Sequence, residues 1–221
     1  PFAAAVSVML ALAAPAVAEG DIAAKQYDDG SFYEGTFKDG VPDGTGTYRL
    51  PNGYEYSGDW VAGRIEGQGR ATYPNGAVYE GGFQNGKPHG KGKIIYSDGG
   101  TYEGDWLAGV KEGRGIIRYP DGAVYQGSFK ADQRHGKGIL TQPDGFTYDG
   151  DWLEGEMHGI GKATYPTGDI YEGGFAKGKR QGPGKLTYKT GEISEGVWEN
   201  GLLTAPLAAP PPAEPAATTT P

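Results

Sequence analysis

The chain has 221 residues, 28 acidic against 20 basic side chains for a formal net charge of −8, no cysteine and 41 glycines. The missing cysteines exclude a disulfide framework, a lipid-bearing cysteine and a thiol nucleophile within it, and the acidic balance argues against nucleic acid as a partner. With few strongly apolar runs, stability has to come from a regular arrangement of many small contacts.

Phe2 to Ala18 is apolar, alanine-rich and uncharged, and Ala16-Val17-Ala18 before Glu19 has the small-x-small form of a signal-peptidase site. Residues 1–18 are therefore expected to be an export signal, with a mature chain from Glu19 that is periplasmic or secreted. The alternative is an inner-membrane anchor formed by residues 2–18, although a span needs about 20 more strongly apolar residues. Residues 19–32 read as a half repeat that caps the array, because Tyr27-Asp28-Asp29-Gly30 reproduces the end of the unit that follows.

From Tyr33 a 23-residue unit is written seven times without insertion, opening at Tyr33, Tyr56, Tyr79, Tyr102, Tyr125, Tyr148 and Tyr171, and a truncated eighth opens at Ser194. A fixed period of this length marks a repeat architecture. With the opening residue as offset 0, glycine holds offsets 2, 7, 11, 13 and 20, and only Asp132 departs. Period-two alternation predicts two strands per unit. In Tyr79-Glu80-Gly81-Gly82-Phe83 offsets 0, 2 and 4 share a face, and in Gly92-Lys93-Ile94-Ile95-Tyr96 the Gly, Ile94 and Tyr96 do. Turns such as Tyr73-Pro74-Asn75-Gly76 separate the units. Facing glycines are expected to let the large rings lie over bare backbone.

The offset-4 ring alternates Phe37, Trp60, Phe83, Trp106, Phe129, Trp152, Phe175, Trp198, and Asp59, Asp105 and Asp151 precede three of the tryptophans. This second, 46-residue period is read as a packing device or as a duplicated block. Seven hairpins with one strand at each end make sixteen strands, a sheet roughly 70 to 80 Å long.

The unit, read as YEGTFKDGVPDGTG, YSGDWVAGRIEGQG, YEGGFQNGKPHGKG and their successors, resembles the MORN (membrane occupation and recognition nexus) repeat over residues 33–201. The resemblance implies an all-β fold, an elongated, twisted single antiparallel sheet of successive hairpins. It implies little about activity, since fold is not function.

Acids crowd the outward positions of the first strand, while offsets 12 and 14 carry Arg70, Lys91, Lys93, Arg114, Lys137, Lys162 and Lys185. These form either a basic binding stripe or cross-strand pairs with the neighbouring acids. Over Tyr27 to Gly201 there are 19 basic and 25 acidic residues, 19 − 25 = −6, so any attraction to anionic membrane is weak. His89, His135 and His158 share offset 10. Equivalent positions about 10 Å apart do not converge on a metal, and a loop role in stabilising the tight turn is expected. No catalytic motif is present, and the Gly-Lys-Gly runs lie between strands rather than before a helix, so no enzyme, cofactor or metal site is expected.

Residues 202–221 form a Pro/Ala/Thr-rich tail with one charge, read as disordered by composition, serving as a solvated end, a spacer or a ligand for a Pro-binding partner. The function expected is a cell-envelope binding scaffold. It acts on a protein partner or on a second copy through its terminal strands, with a membrane surface and an envelope polysaccharide stacked on an open aromatic face as alternatives.

Overall fold

In the computed structural model, residues 22–206 are described. The signal and anchor readings of residues 2–18 and most of the tail lie outside them. The described residues carry seventeen strands and no helix. They divide into two compact units between Lys87 and Pro88.

In the first unit β1 (Ile22–Gln26), β2 (Phe32–Lys38), β3 (Val41–Arg49), β4 (Glu55–Val61), β5 (Arg64–Thr72) and β6 (Val78–Gln84) pair antiparallel in sequence order. The second unit does the same with β7 (Lys87–Ile95), β8 (Thr101–Leu107), β9 (Val110–Arg118), β10 (Val124–Lys130), β11 (Gln133–Thr141) and β12 (Thr147–Leu153). It continues through β13 (Glu156–Thr164), β14 (Ile170–Ala176), β15 (Lys179–Thr187), β16 (Ile193–Glu199) and β17 (Leu202–Pro206). The all-β hairpin repeat is as expected.

Two details differ from the sequence reading. The second strand of each unit starts at offset 8, because the hairpin closes on two residues, as in Ala62-Gly63, whose φ angles of 48° and 77° are those of a type I′ turn. Positions expected in a loop, the three histidines among them, are therefore strand. And Leu202–Pro206, expected in the disordered tail, pairs with β16, so Trp198 lies against a partner strand and the strands number seventeen rather than sixteen.

Asp132 is the instructive exception among the glycines. It stands at the second turn position with φ 69°, and its carboxylate accepts from the Lys111 N–H at 2.9 Å and pairs with Lys111 Nζ at 3.2 Å. An aspartate tolerates the left-handed conformation when its short polar side chain is bonded locally.

The long strand carries a bulge. Gly127 faces Gly138 and Ser128 faces His135, so Gly136 and Lys137 have no opposite number on β10, while both pair with β12. The offset-11 glycine, at φ 63° here, takes the left-handed conformation the bulge requires without a Cβ penalty.

Candidate functional site

All seven offset-0 tyrosines are fully buried at 0% exposure, and the offset-4 rings are buried at 3 to 8%. Tyr33 packs edge-to-face on Phe37 and Trp60 at 5.0 and 5.1 Å, and the same pattern recurs for Tyr148 with Trp152 and Phe175 at 5.2 and 4.9 Å. Edge-to-face contact sets the positive rim of one ring on the negative face of the next. Each tyrosine hydroxyl donates to the carbonyl three residues on, beside the bulge, as Tyr102 to Asp105 at 2.9 Å and Tyr125 to Ser128 at 3.0 Å. Burial pushes the phenols up, Tyr33 and Tyr125 to about 12.

The tyrosine ring lies over the glycine pair of its own hairpin. A Cβ on Gly104 would stand 2.5 Å from Gly115 Cα and 2.6 Å from Tyr102 Oη. The expectation that facing glycines clear space for rings is met in these terms.

The 46-residue period has a chemical content that the sequence reading misses. The indole N–H of Trp60, Trp106, Trp152 and Trp198 donates to the offset-13 glycine carbonyl of the preceding unit, at 3.2, 3.1, 2.9 and 2.9 Å. Phenylalanine makes no such bond. In the same units Asp59, Asp105 and Asp151 accept from the N–H of the extra bulge residue, Gln68, Arg114 and Ile160, at 2.7, 2.9 and 3.0 Å. In the first phenylalanine unit the Thr36 hydroxyl accepts from the equivalent Thr45 N–H at 2.9 Å. The signal is present in the Asp-Trp dipeptide, but the bulge that gives it meaning is not.

Because the ladder rings are buried, the aromatic face is not the open row that stacking on polysaccharide requires; the rings are covered by one another and by the offset-9 side chains. The sequence reading places offset 9 in a loop and so misses these covering residues. In the second unit they include Arg134 and Arg180, whose guanidinium carbons lie 4.2 Å from the ring centres of Trp152 and Trp198. Each also donates to a turn carbonyl, Gly155 at 2.5 Å and Gly201 at 2.6 Å. In the first unit Pro42 and Ile65 take the same offset and leave a groove of about 410 Å³, lined by Tyr27, Pro42, Tyr48, Trp60, Arg64 and Ile65 with Asn85 and the turn glycines.

On the opposite face the basic stripe is largely neutralised. Arg70 pairs with Glu80 at 3.0 Å, Lys91 with Asp105 at 2.5 Å, Lys137 with Asp151 at 2.7 Å and Lys162 with Glu172 at 3.3 Å. Lys93 and Lys185 stand opposite Glu103 and Glu195 in register, and Arg114 opposite Ser128. The cross-strand pairing reading therefore describes this face. Hydrogen bonds from Lys91 and Lys137 lead in holding Asp105 and Asp151 below the usual carboxylate range; burial opposes them, and the bulge N–H adds a further lowering.

Among the described residues no histidine ring hydrogen-bonds to a turn, unlike the expectation. At offset 10 it is Asp43, Glu66, Glu112 and Gln181 whose side chains accept from the next turn's N–H, at 3.0, 3.0, 3.0 and 3.2 Å. Among the described residues no group of three His, Cys, Asp or Glu side chains could hold a metal ion, and no helix is long and apolar enough to cross a membrane.

The model of the MORN repeat matches residues 33–53, 56–78, 79–101, 102–124, 125–147, 148–170 and 171–193. This chain belongs to the MORN repeat family. The MORN repeat is a non-enzymatic interaction module, and its seven copies here account for the glycine register and the ring ladder alike. A stretch of 53 residues, 22% of the chain, is 42% identical to Alsin of Rattus norvegicus, of which it spans only 3%. Among solved structures the chain is similar to the SAS-4 TCP domain of Drosophila melanogaster in complex with a proline-rich motif of Ana2, at 15% identity, 63% of this chain, 82% of that one and a TM-score of 0.40. It is likewise similar to the TCP10 domain of Danio rerio CPAP, at 15% identity, 77% and 74% coverage and a TM-score of 0.38. The CPAP G-box domain gives 14% identity, 81% and 100% coverage and a TM-score of 0.45. Similarity of this degree carries no functional argument for the MORN array.

Proposed function

We propose that this MORN array is a non-enzymatic scaffold of the cell envelope that binds protein on the aromatic side of its hairpins. The observation that carries the reading is the groove of the first unit. It sets Tyr48, Tyr27, Trp60, Pro42 and Ile65 beside one guanidinium and a polar turn. Aromatic and arginine side chains around an apolar floor are the composition of a protein interface core, and a concave apolar surface with few polar groups is the usual form of a binding site. The opposite face offers less to a lipid surface, because four of its seven stripe cations already sit on carboxylates. The envelope location is supported by the apolar run and Ala16-Val17-Ala18. Intact-mass measurement of native material, with a chain starting at Glu19, is its test.

Crosslinking and affinity recovery from the native envelope tests the binding role. The wild-type chain is expected to recover protein that Tyr48→Ser combined with Arg64→Glu loses, while Lys93→Glu on the opposite face keeps it. Recovery unaffected by the groove variant would move the binding surface elsewhere.

A further inference from the structure

The groove of the first unit has one charged lining residue, Arg64. Its side chain is exposed, and it makes no ion pair among the described residues. The aromatic walls are only partly covered: Tyr27 and Tyr48 are half-buried and lie edge-to-face at 6.4 Å, and Tyr48 meets Trp60 at 5.9 Å. An aromatic-lined groove with Pro42 at its floor suits a ligand that is apolar, narrow and already stiff. Proline-rich segments are such ligands, because fixed φ leaves little chain entropy to lose on binding and their flat rings stack on aromatic faces.

The same chain contains such a segment beyond β17. Residues 207–216 read LAAPPPAEPA, and Glu214 is the single charge of residues 202–221. Pro212 and Pro215 are three apart, the spacing that a polyproline helix returns to one edge after about 9 Å. Glu214 stands between them. In a polyproline conformation the ligand would present two prolines on one edge with one negative charge nearby, and the groove offers aromatic walls and the positive charge of Arg64, with Lys25 Nζ 4.9 Å from the centre of the Tyr27 ring.

We propose that the Pro-rich segment 207–216 of a second copy of this chain docks in the groove, Pro212 and Pro215 against Tyr27, Tyr48 and Trp60 and Glu214 against Arg64. The inference rests on the groove being a protein-binding surface, and names its occupant. The six residues from Leu207 to Pro212 reach at most about 20 Å from the end of β17, a short tether that favours the segment of a second copy, and a concentration series separates this from docking within one copy. The contact joins two different surfaces, so it is heterologous and does not close as a two-fold dimer. Association continues past two copies as concentration rises.

Sedimentation velocity of the full chain over a micromolar to near-millimolar series tests this, with the peptide PLAAPPPAEPA, residues 206–216, as competitor. The wild-type chain is expected to show a series of species that excess peptide returns to monomer. Arg64→Glu and Glu214→Lys each weaken association about three- to tenfold, the range for breaking an exposed ion pair and setting two like charges together, and the double variant recovers it. Because Arg64 is exposed and Glu214 lies beyond the described strands, recovery in the double variant also shows that each single variant folds. A monomer at all concentrations, association indifferent to the peptide, or a double variant no better than the singles overturns the proposal. Association that ignores the peptide assigns contact to the edge strands β1 and β17 instead. If the tail fails in this way while Tyr48→Ser with Arg64→Glu still loses proteins recovered from the envelope, the occupant is wrong and the groove's protein-binding role stands.

Discussion

Gly104→Val puts the ring ladder under direct load. The added Cβ would lie 2.5 Å from Gly115 Cα, 2.5 Å from the Arg114 carbonyl oxygen and 2.6 Å from Tyr102 Oη. Two of these are backbone and cannot swing away. The third belongs to a ring held by a 2.9 Å hydrogen bond to the Asp105 carbonyl and by edge-to-face contacts with Trp106 at 5.2 Å and Phe129 at 5.0 Å. Relief therefore means separating two paired strands or expelling the ring. Overpacking of a filled site costs about 1–3 kcal/mol, and the buried hydrogen bond lost with the ring adds about 1. A destabilisation of about 2–4 kcal/mol follows from the two together. Glu103→Gln, one residue away on the solvent face, is expected to stay within about 0.5 kcal/mol. Urea titrations followed by tryptophan fluorescence and far-UV circular dichroism read both. Equal midpoints for the two variants would show that the rings do not lie over the glycine row.

Trp152→Phe removes a 2.9 Å donor to the Gly138 carbonyl and is expected to cost about 1 kcal/mol or somewhat more in the same titration; a neutral effect would mean that the alternation of rings has no hydrogen-bonding content. Asp105 and Asp151 have their folded pKa values depressed, chiefly by Lys91 and Lys137, so their contribution is present above the unfolded carboxylate value and is lost as pH falls through the lower folded one. Asp105→Asn with Asp151→Asn should therefore flatten the acid limb of stability, and an unchanged limb would assign acid sensitivity to other carboxylates. Tyr33 and Tyr125 are shifted the other way, to about 12 by burial, so their contribution is complete below the unfolded value near 10 and disappears as pH rises from there through 12. The last phenolate absorbance should appear only together with unfolding; a titration completed near 10 without loss of structure would contradict the burial of Tyr33 and Tyr125.

The fold is largely legible in the sequence because its determinants are local. A tyrosine at offset 0, glycines at 2 and 13 and a Pro-x-Gly turn each act within one hairpin or between neighbours, so a single period carries them. What escapes is whatever depends on the bulge. Gly136 or Gly159 in isolation reads as one more spacer, yet the two residues added to the long strand there decide which carboxylate meets which N–H. The histidines are misplaced for a related reason, since a turn closed on two residues, such as Glu154-Gly155 before His158, extends the next strand over them. β17 is hidden by composition: Leu202–Pro206 has no glycine register, and its pairing comes from the open edge of β16 rather than from its own sequence. The groove is out of reach because offset 9 varies among proline, isoleucine, methionine, lysine and arginine, and no pattern marks it. The stripe is visible as a row of cations, but its neutralisation depends on the opposing register, which the pairs Lys91–Asp105 and Lys137–Asp151 supply.

Co-sedimentation with anionic liposomes at physiological salt tests most directly whether this array is a protein scaffold or a lipid binder. With a net charge of 19 − 25 = −6 over Tyr27 to Gly201 and its stripe largely paired, the wild-type chain is expected to sediment weakly and to be released by added salt. Firm binding that survives salt and is lost when Lys91, Lys93, Arg114 and Lys137 are replaced by Glu would contradict the account and put lipid recognition first.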